Sequence, residues 1–184
     1  MGIAYFEKVT YEQFVKDWGK QASLCGRSLE IFLRDVLPVE YESIKLPERK
    51  TVGSAGYDFF SPYGFTLEPD ETITIPTGIR CRIDDGWVLK IYMRSGLGFK
   101  YGLRLINGTG IIDSDYYNSD NEGHIQIKLI NDSSIRKTVK INAGDSIAQG
   151  IFIPFGLTVS DHASGVRNGG FGSTDMEDKT VDQE

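Results

Sequence analysis

The chain has 184 residues, 40% of them hydrophobic and 25% charged, and a formal net charge of −6. That is the profile of a globular protein with one main core. Its acidic balance excludes a general nucleic-acid binder, which would carry a basic excess, and an acidic protein that handles an anionic ligand has to gather its few cations locally.

The start, with Tyr5, Phe6, Glu7 and Lys8, lacks the basic-then-apolar order of a secretory leader. From Thr10 to about Val36 apolar residues recur at helical spacing, first Phe14, Val15 and Trp18, then Leu29, Ile31, Phe32, Leu33 and Val36, which predicts two short helices broken near Gly26. Thr10 and Gln13 have the spacing of a capping box. Pro38 and Pro47 mark LPVEYESIKLP as an extended connector. After Lys50 the texture changes to short β-type runs: TITI at 72–75, IRCRI at 79–83, WVLKIYM at 87–93, HIQIKLI at 124–130 and TVKI at 138–141. Asp84-Asp85-Gly86 and Asn142-Ala143-Gly144-Asp145 are turn chemistry between them. Short strands at such spacing predict an antiparallel barrel or jelly roll. No apolar run approaches the ~18 residues of a membrane span. Cys25 and Cys81 imply neither a metal site nor a disulfide framework, and Cys81 reads as a small core residue. The expectation is a cytoplasmic protein with no membrane or nucleic-acid partner.

Five segments carry chemistry. SAGYDFF at 54–60 places Asp58 where a strand begins. RSGLG at 94–98 follows a strand, and its Arg, hydroxyl and glycine-exposed amides predict a phosphate-binding turn. GTGIIDSDY at 108–116 is an apolar, Gly-flanked stretch that delivers Asp113, then Asp115 and Tyr116. Gly108 and Gly110 remove bulk so that backbone amides can approach a flat ligand, and an extended segment would set Asp113 and Asp115 opposite Ser114 and Tyr116. GDSIAQGIF at 144–152 carries Gln149. The acid- and Gly-rich tail holds GVRNGGFGSTD at 165–175.

AGYD, RSGLG, NGTGIIDSDY, GDSIAQGIF and GGFGSTD, in that order, closely resemble the five motifs of the trimeric deoxyuridine triphosphatases, the dUTPases, over roughly Ile44 to Asp175. The resemblance implies a mainly β chain. It would have a helical N-terminal extension at 1–43, a dUTPase-like β jelly roll at 44–160 and a flexible closing arm at 161–184. It also implies a homotrimer with active sites at subunit boundaries. The reaction would be dUTP plus water to dUMP plus pyrophosphate, with Mg2+ on the triphosphate, limiting uracil in DNA and supplying dUMP for thymidylate synthesis.

Carried onto this chain, the resemblance makes Asp113 the base that activates a water for attack on the α-phosphorus. Tyr116 becomes the ring beneath the deoxyribose that excludes UTP. Asn107, Gly110, Ile111 and Ile112 would read the uracil edge by backbone groups, completed around Gln126. Arg94, Ser95, Gly96 and Gln149 would hold the phosphates. Arg167 would meet the γ-phosphate, Phe171 would stack over uracil, and Gly172, Ser173 and Thr174 would close the chain. Asp58 would reach the magnesium only through a water, or pin its strand by hydrogen bonds. Asp115 would be structural.

Three features depart from the family pattern. Tyr117 to Glu122, YNSDNE, stands where a single residue is usual; Arg167 is one residue nearer Phe171; and Asp175 replaces a Gly and would face solvent. Two alternatives share the fold: a dCTP deaminase-like enzyme, and a regulatory protein that uses the insertion or the N-terminal helices to bind a protein partner.

Overall fold

The computed structural model describes residues 2–19, 36–134 and 136–170. Within them the chain runs β1 Ala4–Lys8, α1 Tyr11–Gly19, α2 Leu37–Ser43, β2 Tyr57–Phe60, β3 Phe65–Leu67, β4 Thr72–Pro76, β5 Ile79–Ile83 and β6 Trp87–Met93. It continues with α3 Ser95–Tyr101, β7 Leu103–Leu105, β8 Gly110–Ile112, β9 Gln126–Asn131, β10 Val139–Ile141 and β11 Ser146–Pro154, with a 3-10 helix at Ser114–Asn118. Every pairing is antiparallel: β2-β11-β6-β8, β4-β9-β7, β1-β5 and β3-β10, a jelly roll. None of the described helices is long and apolar enough to cross a membrane.

Alternation explains the strands. In β5 Ile79, Cys81 and Ile83 are buried while Arg80 and Arg82 point away, so Cys81 is the core residue its pattern predicts. Burial pushes its thiol up to about 12, which leaves it protonated and inert. Phe59, Ile75, Leu89, Leu103, Ile127, Leu129 and Ile147 fill the centre. The expected turns form: Asp145 donates its N–H to the Asn142 carbonyl at 3.1 Å, and Gly86 and Gly144 take the positive φ those corners need.

The N-terminal segment is joined to the core more closely than its sequence indicates. Ala4–Lys8 is a strand on the edge of β5. Its Phe6 ring lies 5.5 Å from Tyr57, 5.7 Å from Phe59 and 5.8 Å from Phe152. The extended reading of LPVEYES is corrected: Leu37–Ser43 is helix α2, because Pro38 sits in its first turn, where a missing N–H costs nothing and the fixed φ suits a helix start. Lys8 Nζ donates to the carbonyls of Tyr41 at 2.9 Å and Glu42 at 3.1 Å, a cation placed on the helix C-terminus. The helical pattern from Leu29 to Leu33 lies outside the described residues.

Helix α1 starts at its expected cap with half the expected box. Thr10 Oγ1 accepts the Gln13 N–H at 3.2 Å. The Gln13 side chain goes to Asp17 instead, and the Thr10 N–H is taken by the Glu122 carboxylate at 2.8 Å, from 112 residues away. The YNSDNE insertion thus supplies the second half of the cap.

Candidate active site

The hairpin from Asn107 to Ile112 is built on β6. Residues Ile91 and Leu89 face Gly110 and Ile112 across the ladder, and Thr109 Oγ1 donates to the Ile91 carbonyl at 2.9 Å. A Cβ on Gly110 would stand 3.2 Å from the Ile91 Cβ, tighter than ordinary contact, so strand packing favours glycine there, while Gly108 is favoured by its φ of +70°. Asn107, Gly110, Ile112 and Gln126 line one pocket with Leu105 and Ile106, with a volume of about 160 Å³. Sites that engulf a whole drug-sized ligand measure ~300–1,000 Å³, so this pocket is sized for one ring. Ile111 alternates to the other face and is exposed, leaving only its backbone to serve the pocket.

After Ile112 the strand ends at Asp113, and residues 114–118 curl into the 3-10 helix, with the Tyr116 N–H donating to the Asp113 carbonyl at 3.2 Å. This corrects the extended reading, in which alternation would have separated Asp113 and Asp115 from Tyr116. The curl brings all three to one guanidinium: Arg167 meets Asp113 Oδ2 at 2.5 Å and Asp115 Oδ1 at 2.9 Å, and lies 5.8 Å from the Tyr116 ring centre. Asp115, expected to be structural, is half of the clamp on that arginine. The arm continues across the ring, since a Cβ on Gly170 would sit 2.7 Å from Tyr116 Cε2. Asn168, with its amide turned to donate, lies 2.7 Å from Asp120 in the insertion. Tyr116 itself is 4% exposed. Burial raises its phenol above the ordinary value, so at neutral pH the hydroxyl keeps its proton and can donate.

A second pocket, about 200 Å³, is lined by Lys50, Ser54, Asp58, Arg94, Ser95 and Gln149. Its order comes from Asp58, a nearly buried carboxylate 3.1 Å from Arg94 Nε and 3.3 Å from Lys50 Nζ. Asp58 is held in turn by its N–H bond to the Glu48 carbonyl at 2.8 Å and by its place beside Gln149 in the β2-β11 ladder. The predicted turn at RSGLG is the start of helix α3, with Arg94 as its first cap residue. The Leu97 and Gly98 N–H groups bond back to the Arg94 carbonyl, and the Ser95 and Gly96 amides precede those bonds, where helix N–H groups are free to meet an anion. A Cβ on Gly56 would meet Gln149 Oε1 at 2.7 Å, so a side chain there would displace the Gln149 amide.

The two pockets share no residue, and Arg167 is with the acids, not with Arg94. Phe171, Gly172, Ser173 and Thr174 lie outside the described residues. Sequence reading missed Lys50, whose only sign was a cation just ahead of AGYD. It also missed Asn121 and His124, whose side-chain amide and backbone carbonyl respectively hold the Tyr116 hydroxyl. Among the described residues no three His, Cys, Asp or Glu side chains gather as metal ligands. Asp58, Asp113 and Asp115 are each already paired with a cation.

The sequence model of the dUTPase family matches residues 42–175. The deoxyuridine 5'-triphosphate nucleotidohydrolase of Lactococcus lactis is 42% identical over 134 residues, covering 71% of this chain and 88% of its own. The crystal structure of dUTPase from Streptococcus mutans superposes with a TM-score of 0.56 at 38% identity, over 64% of this chain and 90% of that one. A dUTPase mutant from phage phi11 of S. aureus, described for its coordination of a structural Mg(II) ion, superposes with a TM-score of 0.54 at 27% identity, over 67% and 92% of the two chains.

Proposed function

Because the chain belongs to the dUTPase family and hydrolyses dUTP to dUMP and pyrophosphate, we propose that Asp113 is the general base of that reaction. Its carboxylate takes a proton from a water whose oxygen attacks the α-phosphorus. The bond from that phosphorus to the oxygen it shares with the β-phosphate breaks, and pyrophosphate leaves. The observation that carries this reading is placement: the chain passes from the pocket wall at Ile112 directly to Asp113 and on to Tyr116. A positioned base contributes ~10²–10⁴-fold. Asp113→Asn should therefore lower pyrophosphate release from dUTP by about that factor with dUTP still bound, and unchanged turnover would overturn the assignment.

The hairpin of Asn107 to Ile112 presents backbone N–H and C=O groups to the uracil edge, with Gln126 across the pocket, and a base of the wrong donor pattern leaves those groups unpaired. Tyr116 packs beneath the deoxyribose, where a ribose 2′-hydroxyl clashes. Arg94, Ser95, Gly96 and Gln149, with Lys50 added, hold the phosphates. Arg167 exchanges the carboxylates of Asp113 and Asp115 for the γ-phosphate; while it stays on Asp113 that oxygen is occupied, so arrival of the triphosphate also frees the base. Phe171 then covers the uracil, and Gly172, Ser173 and Thr174 close on the phosphates. A magnesium ion arriving on the triphosphate would supply further charge neutralisation for the leaving pyrophosphate. The Asp58 carboxylate, already shared between Lys50 and Arg94, fits a contact to that ion only through a water.

A homotrimer in which neighbouring copies complete each site fits the observation that no residue lines both pockets. Asp113→Asn and Arg94→Ala chains, each inactive alone, should recover dUTP hydrolysis when refolded together. Recovery of none would place both residues in a site made by one chain.

A further inference from the structure

The hydroxyl of Tyr116 is held from two directions. It donates to the His124 carbonyl at 2.9 Å and accepts from Asn121 Nδ2 at 2.8 Å. A phenol with one bond turns about that bond; with two non-collinear bonds the ring is fixed. Neither partner is loose. Asn121 belongs to the YNSDNE insertion, its Oδ1 accepts the Gly123 N–H at 3.2 Å, and its carbonyl accepts the His124 N–H at 3.1 Å. Gly123 closes this turn at a φ of +68°, where a Cβ would stand 2.7 Å from both the Tyr116 carbonyl oxygen and the Tyr117 Cα.

His124 is fully buried and its ring is bonded at both nitrogens. Nε2 accepts the Gly78 N–H at 2.8 Å, so Nδ1 carries the proton and donates to Asp17 Oδ2 at 2.7 Å. The same Asp17 oxygen accepts Gln13 Nε2 at 2.7 Å. Both Asp17 and Gln13 lie on α1, in the segment without a counterpart in the minimal family pattern. The insertion is tied to that segment a second time. The Glu122 carboxylate caps α1 through the Thr10 N–H and hydroxyl, at 2.8 and 2.6 Å. Tyr117 donates to Glu7 of β1, and Arg80 lies 3.6 Å from the centre of the Tyr117 ring.

We infer that the N-terminal segment and the insertion form one brace for the sugar-facing ring. Asn121, and His124 held by Asp17, are positioning residues that set discrimination between deoxyribose and ribose triphosphates. They touch no substrate. They fix the ring that does, and a displacement of even 1 Å in a discriminating surface opens room for a 2′-hydroxyl. This role rests on the reading of Tyr116 as the ring beneath the sugar.

The test is a cycle of Tyr116→Phe, Asn121→Ala and the double variant in the full chain, measuring kcat/KM for dUTP and UTP by pyrophosphate release. Each single variant should lower the dUTP-to-UTP ratio about tenfold, chiefly by raising kcat/KM for UTP, and the double variant should fall no further, because both act through one hydroxyl. Asn121→Asp, which keeps an acceptor for Gly123 and loses the donor to the ring, should match Asn121→Ala; Asp17→Asn, which keeps an acceptor for His124, should leave the ratio near that of the native chain. An unchanged ratio in Asn121→Ala, or a double variant equal to the product of the singles, overturns the brace. Tyr116→Ala tells the two readings apart: if it too leaves the ratio unchanged, Tyr116 is not the sugar gate and the underlying assignment fails, whereas loss of the ratio there with none in Asn121→Ala refutes the brace alone.

Discussion

The ring-sized pocket and the cation-lined pocket, proposed above as the base side and the phosphate side of the site, are built differently. The ring-sized pocket is made of backbone, branched apolar side chains and a few polar ones and is backed by the β6-β8 ladder, while the Tyr116 ring that follows it in the chain is tied through the buried His124 to helix α1. The phosphate side is made of long cationic side chains at the surface, with the Lys50 side chain 56% and that of Arg94 34% exposed, oriented by a single carboxylate. Shape recognition of a flat base needs rigid walls, and a wall is rigid only through what packs behind it. A triphosphate brings its own charge, so exposed cations suffice if something aims them. Damage on the base side should therefore be felt in stability and specificity, and damage on the phosphate side in substrate affinity and rate.

The largest effect expected from breaking that contrast lies at Asp58. Replacing it with alanine leaves two cations side by side with nothing to aim either, and misplacement of a positioning group by about 1 Å can cost ~10²-fold. Asp58→Ala should lower kcat/KM for dUTP by roughly that factor, while thermal unfolding changes little; a variant with unaltered kcat/KM would mean that the cations are aimed by something else. Gly110→Ala is the counterpart on the base side. Its new Cβ, 3.2 Å from Ile91 Cβ, makes β8 or the Ile91 side chain give by a few tenths of an ångström. Overpacking of that kind costs about 1–3 kcal/mol, which calorimetry should read as a lower unfolding temperature together with weaker dUTP turnover. Gly96→Ala, on the phosphate side, meets nothing within 4 Å and should cause no loss of stability.

The same division explains what could be read in the sequence. Strands β4, β5, β6 and β10 were visible to within a residue or so at each end, because their apolar residues alternate against one core. The hairpin that lines the ring-sized pocket is legible because glycine and apolar spacing at 107–112 is local. Lys50 was not, since a lone cation ahead of a strand has no pattern until Asp58 is seen between it and Arg94. Nor was the brace: the pairing of His124 with Asp17 and of Glu122 with Thr10 joins positions more than a hundred residues apart, and no local periodicity encodes it. Helix α2 was misread because Pro38 looks like a breaker when the start of the helix is unknown. The 3-10 curl at 114–118 was misread because SDYYN carries no signal that separates it from a strand end.

The smallest effect sharpens the question of how far the depth of the base side extends. The Glu122 carboxylate accepts both the Thr10 N–H and its hydroxyl, and a lost helix cap costs typically about 1 kcal/mol. For a chain of this size that corresponds to a fall in unfolding temperature of about 2–4 °C for Glu122→Ala. Glu122→Gln keeps an acceptor for the same N–H and should lose less. Because the cap lies at the first turn of α1 and Asp17 at the last, loosening the start should leave the Asp17–His124 bond, and with it the dUTP-to-UTP ratio, largely in place. A drop in the ratio as large as that of Asn121→Ala would show that α1 and the insertion move as one rigid lever, and that the base side has no shallow layer at all.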